Sequence, residues 1–152
     1  MATTKKTNGD AAIAGFVDAI ICVRQAIKQL AQQKLRELHD REITYEMLQV
    51  LSVLWNKHQI NQQEVANATQ KNKASLTPLI DSLVRMGLIT RSEDPDDRRN
   101  KIITLTPKGK EYRKKFSPMI EDIYEVVRGD ISDAKLREIT TLLLIVKENI
   151  LL

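Results

Sequence analysis

Glycine and proline are scarce in these 152 residues, at 5 and 4, and aromatic side chains make up only 4%. A turn-rich β fold draws heavily on all three, so their shortage favours a mostly helical chain. A single cysteine, Cys22, excludes an intramolecular disulfide and suits a reducing compartment. The two histidines, His39 and His58, have no ligand partners at metal-binding spacing, so no metal is expected. The chain also lacks a Gly-rich phosphate loop and any Ser/His/Asp or Cys/His pair at useful spacing. No enzyme and no cofactor are therefore expected. The longest apolar run, Leu142–Val146, falls far short of the ~18 residues of a membrane span. The start, MATTKKTNGD, has no apolar centre of the signal-peptide kind, which predicts a cytoplasmic protein with a short disordered arm.

What is present is ordinary for one globular domain: 42% hydrophobic and 29% charged residues, with a net charge of +4. The placement of that charge says more than its sum. Residues 61 to 115 hold 12 Lys/Arg against 7 Asp/Glu, whereas the remainder holds 12 against 13. All the excess positive charge thus lies in one central segment, as a polyanionic partner would require.

Apolar spacing predicts a long first helix over Ile13–Leu38, too long to pack wholly within so small a domain. Thr44 is positioned to cap a second helix reaching about Asn56. Asn61-Gln-Gln-Glu64 reads as a capping box, with Glu64 reaching back to the Asn61 N–H, and opens a short third helix. A fourth runs from about Asn72 to Met86, burying Leu76, Leu79, Ile80, Leu83 and Val84, and Gly87 ends it in the left-handed conformation. Pro78 conflicts locally with that helix, predicting a later start or a bend.

Two β-prone segments, Leu88–Arg91 and Lys101–Thr106, then flank a charged tip of nine residues, Ser92–Asn100. Thr106-Pro107 opens a fifth helix with Tyr112, Phe116, Met119, Ile120, Ile123, Val126 and Val127 on one face. Ser132 caps a sixth with Leu136, Ile139, Leu142, Leu143, Val146 and Ile150. The expected order is α-α-α-α-β-β-α-α, mainly α with a small β-hairpin wing. Its parts are an arm and dimerisation helix (1–40), a winged helix-turn-helix lobe (41–106) and C-terminal dimerisation helices (107–152).

Two short helices and a hairpin in this order suit duplex DNA. The second helix is narrow enough for the major groove, and the hairpin reaches the minor groove or the phosphates beside it. Small and polar residues at the start of the fourth helix, Lys71, Asn72, Lys73, Ser75 and Thr77, could approach base edges or phosphates. The hairpin carries Arg91 on its first strand and Arg98, Arg99 and Lys101 behind Asp94, Asp96 and Asp97. Acidic neighbours make sense there if one holds an arginine extended by a charge-assisted pair.

Two stretches resemble the MarR-type bacterial transcriptional regulators. They are the run Ser75-Leu-Thr-Pro-Leu-Ile-Asp-Ser-Leu-Val-Arg-Met-Gly-Leu-Ile-Thr-Arg91 and the wing Asp94-Pro-Asp-Asp-Arg-Arg-Asn-Lys-Ile-Ile-Thr-Leu-Thr-Pro-Lys-Gly109. The resemblance implies that Asp97 braces the wing, that Arg99 enters the minor groove and that Arg98 lies on or near phosphate. It implies major-groove contacts from Lys73, Ser75 and Thr77. It departs at Asn72, where many relatives have Asp. It further implies a homodimer built from the terminal helices, acting as a repressor on double-stranded DNA. A small aromatic or amphipathic effector is an open possibility of that family. Cys22 lacks the surroundings of the peroxide-sensing branch and reads as a small core or interface hydrophobe. The alternatives are a redox sensor using Cys22, or a helical interaction module without DNA binding.

Overall fold

The computed structural model describes residues 8–151. Its elements are α1 (Asn8–Glu37), α2 (Tyr45–Lys57), β1 (Gln59–Asn61), α3 (Gln62–Thr69), α4 (Lys73–Arg85), β2 (Ile89–Glu93), β3 (Lys101–Leu105), α5 (Pro107–Arg128) and α6 (Asp133–Leu151). The disordered arm expected at the start lies, for residues 1–7, outside the described residues. From Asn8 onward the chain is already helical, so α1 begins before Ile13. Among the described residues no helix is long and apolar enough to cross a membrane, and no cluster of metal-ligating side chains occurs.

One strand escaped the sequence. β1 pairs antiparallel with β3, Ile60 facing Ile103, and makes a three-stranded sheet in the order β1-β3-β2. Three residues with one buried side chain carry no readable alternation. The strand forms because His58, at positive φ, turns the chain out of α2 onto the free edge of β3, where its carbonyl accepts the Leu105 N–H.

The neighbouring cap also differs from the expected box. Asn61 Oδ1 accepts the Gln63 N–H at 2.7 Å, while Glu64 points to solvent and makes no return bond among the described residues. Asn61 is the last residue of β1, held opposite Ile102, so the sheet sets its backbone rather than the Glu64 side chain.

The core lies between α2, α4, the sheet and the first half of α5. Val50, Leu51, Leu54, Val65, Leu76, Ile80, Leu83, Leu88, Ile103 and Phe116 are fully buried in it. Val84, expected there, is exposed instead, because it falls off the stripe formed by Leu76, Ile80 and Leu83. The joint between wing and α5 explains the run Leu105-Thr-Pro-Lys-Gly109. Thr106 Oγ1 donates to the Gly87 carbonyl and accepts the Gly109 N–H, and Trp55 Nε1 donates to the Gly109 carbonyl at 2.9 Å. A Cβ at position 109 would stand 2.1 Å from Leu88 O, so only glycine fits.

The termini behave differently. Residues 9–26 of α1 are all exposed, α6 buries none of its described side chains, and Val126 and Val127 at the end of α5 are exposed as well. Cys22 sits on this uncovered half of α1, so it is not a core residue of the single chain.

Candidate nucleic-acid interface

The short turn between α3 and α4 is shaped by Gln70, at φ 55°, and by a bond from the Lys71 N–H to the Ala66 carbonyl. Asn72 then caps α4, its Oδ1 accepting the Ser75 N–H at 2.8 Å. Helix α4 starts at Lys73, one residue after Asn72, and continues through Pro78 as one helix. Pro78 is exposed, and the Ala74 carbonyl that loses its partner is on the exposed side too, where water can satisfy it. At the far end the Leu88 N–H bonds Leu83 O and the Gly87 N–H bonds Val84 O, with Gly87 at φ 71°.

Each residue singled out in the sequence has a definite place. Lys73 and Ser75 are exposed at the start of α4, and the Lys73 ammonium has no ion-pair partner among the described residues. Thr77 is half-buried and donates its hydroxyl to Lys73 O. Lys71 is half-buried and turned toward α2, its ammonium 3.1 Å from Gln49 Oε1. Asn72 uses its side-chain oxygen for the cap.

On the wing, Arg91 pairs with Asp81 of α4 at 3.1 Å, and Lys101 with Glu93 at 3.2 Å across the hairpin. Arg98 is exposed and without a partner among the described residues. The loop between the strands spans residues 94–100, shorter than the nine expected, because β2 runs on to Glu93. It is closed by Asp94 N–H to Asn100 O, by Asn100 N–H to Asp97 O and by Asp96 N–H to the Asp94 carboxylate.

At its tip the Asp97 carboxylate accepts from Arg99 Nε and Nη2, both at 3.0 Å, and from the Arg99 N–H at 3.1 Å. The Arg99 side chain is nonetheless 90% exposed. These bonds lower the Asp97 carboxyl below its usual range, the Arg99 side chain contributing most and its N–H next. Conversely, the Asp97 carboxylate raises the Arg99 guanidinium. A bidentate clasp between fixed partners restrains a guanidinium that remains open to solvent.

Between α3, α4 and the wing lies an open groove of about 460 Å³, bordered by Gln62, Lys73, Thr77, Arg91, Arg99 and Lys101. Lys73, Arg91, Arg99 and Lys101 bring positive charge to it, and Glu93 also borders it. Gln62 Oε1 is buried and has no hydrogen-bond partner among the described residues. Sequence reasoning passed over Asp81, Gln49 and Gln62. Asp81 and Gln49 have their partners on other elements, and no local spacing reports that.

Two helices with a capped second member, an antiparallel wing and an arginine held at the wing tip define a winged helix-turn-helix. The MarR family matches residues 43–101, which is this lobe. The HTH-type transcriptional regulator TcaR of Staphylococcus aureus is 27% identical over 128 residues, covering 82% of this chain and 83% of the relative. The S. aureus MepR–DNA complex superposes with a TM-score of 0.73 at 25% identity, covering 88% of this chain and 97% of MepR. Bordetella bronchiseptica BpsR, whose DNA binding is regulated by 6-hydroxynicotinic acid, gives 0.75 at 26%, with 88% and 98% covered. TcaR and the other curated relatives of this kind are named as transcriptional regulators.

Proposed function

We propose that the chain binds double-stranded DNA as a homodimer and represses transcription by occupying a pseudo-palindromic operator. The observation that carries this reading is the Asp97–Arg99 clasp, which holds an exposed guanidinium on the wing beside a capped helix with free Lys73 and Ser75. Lys73, Ser75 and Thr77 then meet the major groove, and Arg99 enters the minor groove, where a narrow groove concentrates negative potential. Arg91, Arg98 and Lys101 lie along the phosphates. The division into a lobe at 41–106 and dimerisation segments at 1–40 and 107–152 belongs to the same proposal.

The dimer is supported by α6 and by the N-terminal half of α1, whose apolar side chains have no cover within the chain. Contiguous exposed apolar surface on this scale marks an interface, and Cys22 lies within it as a packing residue. Release by a small aromatic or amphipathic acid is supported by the likeness to BpsR. A cytoplasmic location follows from the proposed work on DNA.

Selection from genomic fragments, followed by affinity measurements over a range of salt, tests the reading. Binding is expected to fall steeply with salt. Arg99→Ala should weaken operator and random duplex alike and lower the salt slope by about 0.9. Ser75→Ala should alter sequence preference with little change in slope. Failure to retain any duplex at low salt would overturn the reading.

A further inference from the structure

We propose that Lys71 is a positioning residue that anchors the turn before the recognition helix, rather than a contact to DNA. This rests on the proposed DNA-binding role. Lys71 and Lys73 stand two residues apart on either side of the Asn72 cap, yet their surroundings are opposite. Lys73 points out with a free ammonium, whereas Lys71 is half-buried with its ammonium 3.1 Å from Gln49 Oε1 on α2. The other end of the Gln49 amide donates to Tyr45 Oη at 3.3 Å. Lys28 of α1 lies 5.9 Å from the Tyr45 ring centre and 3.3 Å from Glu46 Oε1. A polar chain therefore runs from α1 across α2 to the residue between Gln70 and Asn72.

The bonds within that turn are local, including one from Gln70 Nε2 to Asn67 O at 2.9 Å, and do not reach α2. Gln70 occupies the left-handed region, and the Lys71 N–H reaches back to Ala66 O. The direction in which α4 leaves the turn decides whether Lys73, Ser75 and Thr77 meet base edges together. A hydrogen bond from a charged donor to a half-buried amide oxygen is among the stronger single bonds available there. Moving the Lys71 ammonium onto a phosphate would strip Gln49 Oε1 of its donor. The geometry thus divides the two lysines: Lys73 for the nucleic acid, Lys71 for the angle of the helix that carries it.

The test measures duplex affinity against salt for the full-length chain and five variants. Lys73→Met should lower the salt slope by up to about 0.9, because an ammonium brought into the anionic major groove displaces counterions much as a phosphate contact does. Lys71→Met should weaken binding about tenfold with an unchanged slope. Gln49→Leu should reproduce that loss, and the double variant should be no worse than either single one. Gln49→Glu, which keeps an acceptor for Lys71, should retain wild-type affinity.

Amide hydrogen exchange over residues 70–75 gives a readout without DNA. It should quicken in Lys71→Met and Gln49→Leu but not in Lys73→Met. A slope lowered by Lys71→Met, or unaltered affinity and exchange in Gln49→Leu, overturns the proposal while wild-type binding stands. Absence of salt-dependent binding by the wild type overturns the DNA-binding reading itself and this proposal with it.

Discussion

The lobe from α2 to the middle of α5 and the helices at the two ends are built from similar residues with similar helical spacing. In the lobe, the stripes of α2 and α4 close on the sheet and on Phe116, leaving Leu51, Leu54, Ile80 and Leu83 without exposed surface. At the ends, α6 has Leu142, Leu143, Leu144 and Ile145 in succession, and all four are exposed. The first half of α1 shows Ile13, Val17, Ile20 and Ile21 in the same condition. An amphipathic pattern thus says which side of a helix avoids water. It does not say whether the cover comes from the same chain or from another.

The largest expected effect tests the assignment of the uncovered helices to a second copy. Leu142→Asp places a charge in the proposed interface, and an unpaired buried charge costs on the order of 3–5 kcal/mol. Sedimentation should show the dimer lost while circular dichroism keeps the lobe folded. An unaltered dimer would put the interface elsewhere.

A smaller but sharper effect belongs to the closed lobe. Gly109→Ala drives a Cβ against Leu88 O, which is backbone and cannot turn away. About 3 kcal/mol of stability should be lost in urea unfolding, with the wing joint and its Thr106 and Trp55 bonds the first to open. A variant as stable as wild type would mean that α5 can shift freely against the sheet.

The smallest expected effect lies where the two regions meet. Asp40, in the loop between α1 and α2, accepts the N–H groups of Glu42 and Ile43 and pairs with Lys115 of α5. Burial is the largest influence and opposes its charge. The bonds from Lys115 and the two N–H groups, with the Lys115 charge, outweigh it and hold the carboxyl below its usual range. A lowered carboxyl pKa stabilises the fold fully above the unfolded value of about 3.9 and ceases to do so as pH falls through the folded value. Asp40→Asn should therefore cost about 1 kcal/mol at neutral pH. The difference from wild type should vanish in acid. A constant difference down to pH 2 would show that shape, not charge, holds this joint.

Much of this was legible beforehand because it is local. Thr44, Asn61, Thr106 and Ser132 lie two or three residues before the N–H groups they receive, so composition and spacing report them directly. Gly87 and the wing were legible for the same reason. β1 was not, since three residues become a strand only when β3 offers an edge. The candidate site divides in the same way: Asp97 and Arg99 are two residues apart and readable, whereas Asp81 with Arg91 and Gln49 with Lys71 meet only through packing.

Scarce glycine, proline and aromatics, helical periodicity and short-range caps determined by themselves a mostly helical chain with a basic wing. Only the tertiary structure decided which cations remain free for a partner and which are tied down. It also decided which apolar stripes become core and which stay bare. The physical reason is range: caps and turns act over three or four residues. Burial and ion pairing depend on what another element brings alongside, and spacing along the chain carries no record of that.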